Sequence, residues 1–191
     1  MDRKATVQIS PAACIFLALS LLILPLKWLF AAIIAAAFHE MCHAFAVYLC
    51  YGQVYRLDLG ARGAKMKASP LSRLEELFCV LAGPIGGLLL LLFFRWIPRI
   101  ALCAGFQSLY NLLPIYPLDG GRALRCGIEI ILSEQHSLQV CAVVEALCLA
   151  AIICLSVYGA LVLNLGIGAL IPAIIIVIHT KYGKTPCKER L

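Results

Sequence analysis

Four of the five residues in His39-Glu40-Met41-Cys42-His43 carry groups that bind metals or move protons. Their order is H-E-x-x-H. On a helix, positions i and i+4 stand on one face about a turn apart, so both imidazoles can reach one tetrahedral Zn²⁺. The glutamate directly after the first histidine can then take a proton from water that the metal has acidified. The chemistry on offer is hydrolysis. A polar cluster that stabilises helix packing is the bland reading of the same letters. The surrounding run, AAAF before and AFAVYLC after, weakens it, because an ionisable group at membrane depth costs at least ~2.5 kcal/mol.

Two histidines leave such a site short of a third ligand, and hydrolysis needs an open fourth position for water. The chain has three aspartates. Asp2 is terminal and Asp58 lies in a basic loop, which leaves Asp119 in NLLPIYPLDGGR, residues 111–122. Pro114, Pro117 and the Gly120-Gly121 pair break a helix there and free the backbone to bring a carboxylate in.

The elements that must carry these residues follow from composition. Of 191 residues, 63% are hydrophobic and 14% charged, with a mean hydropathy of +0.96. A soluble domain of this size could not hide that much apolar surface, so the bilayer is the solvent. No polar stretch is long enough for a second domain, so residues 1–191 read as a single membrane-embedded unit. The net charge of +6 could suggest nucleic acid, but the basic residues are scattered between apolar segments. No nucleic-acid partner is expected, and the lipid bilayer is.

From Pro11 to Cys50 the chain is mostly apolar, and at ~1.5 Å per residue it makes a helix about twice the bilayer core, so it must turn back. Pro25 and Lys27 mark the turn. The expected fold is all-α and polytopic, with about six spans near 11–26, 28–50, 74–94, 100–118, 138–162 and 165–180. With the N-terminus cytoplasmic, thirteen of the sixteen Lys and Arg residues fall inside, leaving Lys27, Arg95 and Arg99 outside. That bias predicts a multi-pass protein of the cell membrane with both termini cytoplasmic. Span two then runs inward, so His39 and His43 fall in its inner half, and Asp119 lies at the inner end of span four. Charge bias and ligand chemistry share no premise, yet both put the three residues at one depth.

Residues 54–67, VYRLDLGARGAKMK, alternate apolar and charged side chains around glycines. They read as a short β-hairpin between helices two and three, or else as a solvated basic loop. Cys14, Cys42, Cys50, Cys79, Cys103, Cys141, Cys148 and Cys154 lie in apolar segments, and none of the ten cysteines makes a C-x-x-C pair. They read as small buried hydrophobes rather than disulfides or a thiolate site. Arg3 and Lys4 before an apolar run resemble a signal peptide, but that run is too long for one.

HEMCH together with NLLPIYPLDGG resembles the site-2 protease family of intramembrane zinc metalloproteases, whose pattern is HExxH followed by N-x-x-P-x-x-P-L-D-G. The short six-span form with the N-terminus inside looks most like the branch of stage IV sporulation protein FB. The resemblance implies His39, His43 and Asp119 as zinc ligands and Glu40 as the catalytic base. It gives Asn111 a role at the substrate or the oxyanion, where spacing alone allows a helix cap equally well. The implied substrate is a membrane-spanning or membrane-tethered protein, such as a transcription-factor precursor, cut near the cytoplasmic side. A regulatory membrane partner is also implied.

Leu81 to Gly87 is similar to the family's A-G-P segment, where the family often has an asparagine three residues after the proline and this chain has Gly87. Close helix packing by small residues is the reading left there. No stretch matches a PDZ domain, and residues 181–191 are too few for the CBS domain of the sporulation branch. His136 and His179 are not expected to bind metal. Glu145, inside span five, is open to three readings: buried and neutral, facing Asn164 or a water cavity, or shallower than placed. Tyr110 and Tyr116 read as interfacial aromatics. A metal transporter would spread its ligands along a path, and a non-catalytic zinc scaffold has no use for Glu40. Both remain as rival classes to the protease.

Overall fold

The computed structural model describes residues 6–9, 25–52, 54–60, 63–68, 71–161, 167–170, 173–177 and 180. They fall into two compact units that divide between Asn111 and Leu112. The expected first span, 11–26, lies almost wholly outside the described residues.

In the first unit, helix α1 runs Leu26–Leu49 behind Pro25, whose carbonyl accepts from the amides of Trp28 and Leu29. A proline suits this place because it has no amide to leave unsatisfied. The helix ends in a Schellman arrangement: the Gly52 amide donates to the Val47 carbonyl and the Tyr51 amide to that of Tyr48. Tyr51 takes the left-handed position itself, with φ 55°. Helix α2, Arg73–Leu89, starts in a reciprocal capping box between Ser72 and Glu75, with the Ser72 amide donating to Glu75 Oε2 at 2.8 Å. A 3-10 turn, Leu90–Phe93, prolongs it.

Helix α3, Pro98–Asn111, begins on a proline and buries Ala101, Ala104, Gly105 and Ser108, one continuous stripe at helical spacing. It packs on both α1 and α2. Glycines of α2 allow close approach on both sides: side chains added at Gly83 and Gly86 would overlap His43 and Cys42 of α1, and one at Gly87 would overlap Ser108 of α3. Two antiparallel strands, β2 (Val54–Gly60) and β3 (Gly63–Ala68), pair with Leu57 opposite Met66. Strand β1, Thr6–Ile9, lies parallel to β2 on its other edge.

The second unit begins with an irregular stretch that contains a cis bond at Tyr116-Pro117. Helix α4, Asp119–Ile131, follows, and then the 28-residue α5, Glu134–Leu161. Arg125 joins them, donating to Glu129 at 2.6 Å and to Glu134 at 3.4 Å.

Among the described residues, three helices are long and apolar enough to cross a membrane: Leu26–Leu49, Arg73–Phe93 and Glu134–Leu161. They leave Trp28, Phe30, Leu92, Leu147 and Leu155 exposed, as side chains meant for lipid would be. These ranges coincide closely with expected spans two, three and five. The fourth differs. Its helix stops at Asn111 rather than 118, because Pro114 supplies no amide to continue it and disfavours helical geometry at Leu113. Beyond it α4, an amphipathic helix, occupies part of the stretch left between expected spans four and five. The sixth is described only at 167–170, 173–177 and 180.

Candidate metal centre

Helix α1 places His39 and His43 one turn apart on the same face, as the spacing requires. His39 is buried, and its Nε2 lies 3.2 Å from His43 Nε2 with the rings nearly perpendicular. His43 Nδ1 donates to the Cys79 carbonyl of α2 at 2.7 Å. A carbonyl can only accept, so the neutral ring carries its proton on Nδ1 and turns the lone pair of Nε2 towards His39. A second contact fixes the same ring from the same helix. Gly83, one turn beyond Cys79, lies against His43 so closely that a Cβ there would overlap the imidazole.

Asn111, the last residue of α3, brings its side-chain nitrogen within 3.1 Å of His39 Nε2. The first unit thus collects His39, His43 and Asn111 from α1 and α3, and orients one of them through the backbone of α2. Glu40 follows His39 on α1 and is half-buried. Two imidazole nitrogens converge at 3.2 Å, and with His39 Nε2 unprotonated, as His43 Nε2 is, both lone pairs fit a shared cation. Imidazole donors suit Zn²⁺ among other transition metals.

In the second unit, Asp119 is the first residue of α4, after Leu118 in extended geometry. A carboxylate is favoured there by the unpaired amides and the dipole of the first turn. The chain before it folds tightly back. Added side chains at Gly120 and Gly121 would overlap the backbone of Leu112, Leu113 and Ile115.

His136 at the start of α5 pairs with Ser133 at 2.7 Å on an exposed surface, and His179 lies outside the described residues. Glu145 is half-buried within α5. All eight described cysteines are free thiols. One contributor escapes any reading of motifs, the Cys79 carbonyl, which no side-chain letter announces; Gly83, in the segment read as close helix packing, is also the wall behind His43. The Ser108 hydroxyl is fully buried without a hydrogen-bond partner among the described residues, in the space beside Gly87.

A family model described as Peptidase M50B-like matches residues 12–114. That span includes His39, Glu40, His43 and Asn111 and stops short of Asp119. Among solved structures, the chain is similar to the Site-2 Protease from Methanocaldococcus jannaschii, with a TM-score of 0.67 and 16% identity. The match covers 100% of this chain and 96% of that one. At this identity the likeness concerns the fold. No curated protein matches the chain.

Proposed function

The chain belongs to the Peptidase M50B-like family and is a metalloprotease of the intramembrane type, and from that premise we propose that it uses Zn²⁺ to cut membrane-spanning or membrane-tethered regulatory proteins near the cytoplasmic side of the bilayer. His39, His43 and Asp119 each offer one ligand atom, a set that could hold a metal ion. Bound there, Zn²⁺ would supply Lewis acidity, lowering the pKa of water towards neutrality and polarising a peptide carbonyl.

The protein's own residues supply the rest. Glu40 accepts the proton of the attacking water and returns it to the leaving amine. The Cys79 carbonyl keeps His43 in the tautomer that presents Nε2. Asn111 holds its amide beside His39 and donates towards the oxyanion. A helical substrate has its backbone already hydrogen-bonded and must unwind before it is cut. The edge of the β1-β2-β3 sheet offers an unwound segment a place to pair. Multi-pass insertion through six spans, with both termini cytoplasmic, belongs to the same reading. So does a transcription-factor precursor as substrate, in the manner of the sporulation branch.

The observation that carries the proposal is the convergence of two histidine Nε2 atoms at 3.2 Å, one of them oriented by the Cys79 carbonyl. The test is cleavage of a panel of membrane-tethered reporters in cells by wild type and by Glu40→Gln, with zinc measured on both purified proteins. Processing by wild type alone, with zinc in both, is expected. Equal processing by the two would remove Glu40 as the base, and absence of zinc from both would remove the metal centre.

A further inference from the structure

Two thiols that take no part in hydrolysis face each other where α1 packs on α2. Cys50 closes the C-terminal end of α1, and Cys79 lies in the second turn of α2. The Cys79 thiol donates to Cys50 Sγ across 3.9 Å. Both sit in one apolar cluster with Ala46, Val47, Leu71 and Ala82, so two packed helices hold them near each other. A disulfide needs its sulfurs at about 2.05 Å. The sulfurs must close by about 1.9 Å, a distance to which χ1 rotation of both side chains can contribute. Access is unequal. Cys79 is buried, whereas Cys50 is half-buried at a helix end next to the fully exposed Tyr51.

We propose that Cys50 and Cys79 are a reversible dithiol–disulfide pair, oxidised by a hydroperoxide. The Cys50 thiol attacks the terminal peroxide oxygen, the O–O bond breaks, and the products are the Cys50 sulfenic acid and an alcohol. The Cys79 thiol then attacks the sulfenic sulfur, the S–S bond forms, and the hydroxyl leaves as water with the thiol proton. Two electrons pass from the two sulfurs to the peroxide. A dithiol reductant reverses the bridge and is itself oxidised to a disulfide.

The bridge has a consequence at the metal centre, which rests on the reading of His43 as a ligand. Cys79 is the residue whose carbonyl orients His43, and Gly83 behind the same ring is one turn further along α2. Tying Cys79 to the end of α1 therefore braces that hydrogen bond. Oxidation is expected to slow loss of zinc to a chelator, by at most the roughly 10-fold that removal of an orienting partner typically costs in metal affinity.

The experiment uses the full chain in detergent, fully reduced and then treated with tert-butyl hydroperoxide. Thiols are counted under denaturing conditions and cross-linked peptides mapped by mass spectrometry. The expected result is loss of two thiols, one Cys50–Cys79 linked peptide, and recovery with dithiothreitol. Cys50→Ser should abolish the bridge, and its helical content and melting temperature establish that it folds. Oxidation of Cys50 to sulfinic acid with Cys79 still reduced, or unchanged thiol loss in Cys50→Ser, would overturn the pair. A mapped bridge with no change in zinc release would overturn the coupling alone. None of the mapping depends on the protein's own peptidase activity, so failure here leaves the proposed activity standing.

Discussion

His43 and Asp119 are held in place by different means. His43 is oriented from another helix: the Cys79 carbonyl takes its Nδ1 proton and Gly83 walls its ring, both on α2. Asp119 is placed by its own stretch of chain, where Gly120 and Gly121 let the start of α4 press against the carbonyls that immediately precede it. The first arrangement is tertiary and ends on a movable side chain. The second is local and ends on backbone. Equal insults to the two should therefore produce opposite kinds of damage, one to function and one to folding.

The largest effect is expected at Gly83. In Gly83→Ala the new methyl group overlaps the imidazole of His43, which can yield by rotating away. The helix itself loses nothing, since alanine is the better helix former. A ligand displaced by about an ångström costs on the order of 100-fold in rate. Reporter cleavage should fall by that order and zinc content with it, while the melting temperature stays within a few degrees. A variant that melted early and kept its zinc would mean that Gly83 serves packing and not His43.

The counterpart at Gly120 reverses the balance. Its added methyl meets the Leu112 and Leu113 carbonyls, which cannot rotate away as a ring can. Overpacking of this kind costs typically about 1–3 kcal/mol. Thermal unfolding of Gly120→Ala should show that loss, followed by the helical signal. If Gly120→Ala kept its stability and lost only activity, Asp119 would be no more locally determined than His43.

The same contrast decides what could be read in the letters. H-E-x-x-H announces two side chains on one helix face, and α1 puts them there. Long apolar runs announce three of the helices, whose ends fall within a few residues of the expected spans. The Cys79 carbonyl is invisible because every residue has one, and only the crossing of α1 and α2 decides which carbonyl meets His43. Helix α4 was hidden by the feature that makes Asp119 interesting: prolines and glycines that read as a break end one helix and start another. Its buried charge is equally silent in sequence, since Arg125 and Glu129 look like any exposed i,i+4 pair, yet the Glu129 side chain is only 3% exposed. Strand β1 is four residues long and pairs with a segment far along the chain, too short and too remote a signal for periodicity.

The smallest predicted effect sharpens the comparison from a third place, the end of α1. Tyr51 is 98% exposed and sits at φ 55°, where a Cβ crowds its own backbone. Its side chain gains no packing there in return. The left-handed conformation costs a non-glycine residue about 1–2 kcal/mol, whereas glycine adopts it freely but gives up roughly 0.5–1 kcal/mol through its looser unfolded chain. Tyr51→Gly should therefore stabilise the first unit by about 0.5 kcal/mol, read as a small rise in melting temperature with cleavage unchanged. Tyr51→Asn separates backbone from side chain, because asparagine tolerates the left-handed region without glycine's entropy. A gain in both variants assigns the strain to the backbone of the α1 cap. A loss in both would show that the tyrosine ring contributes at the membrane interface, and that this end of the helix, like His43, is held by something beyond its own stretch of chain.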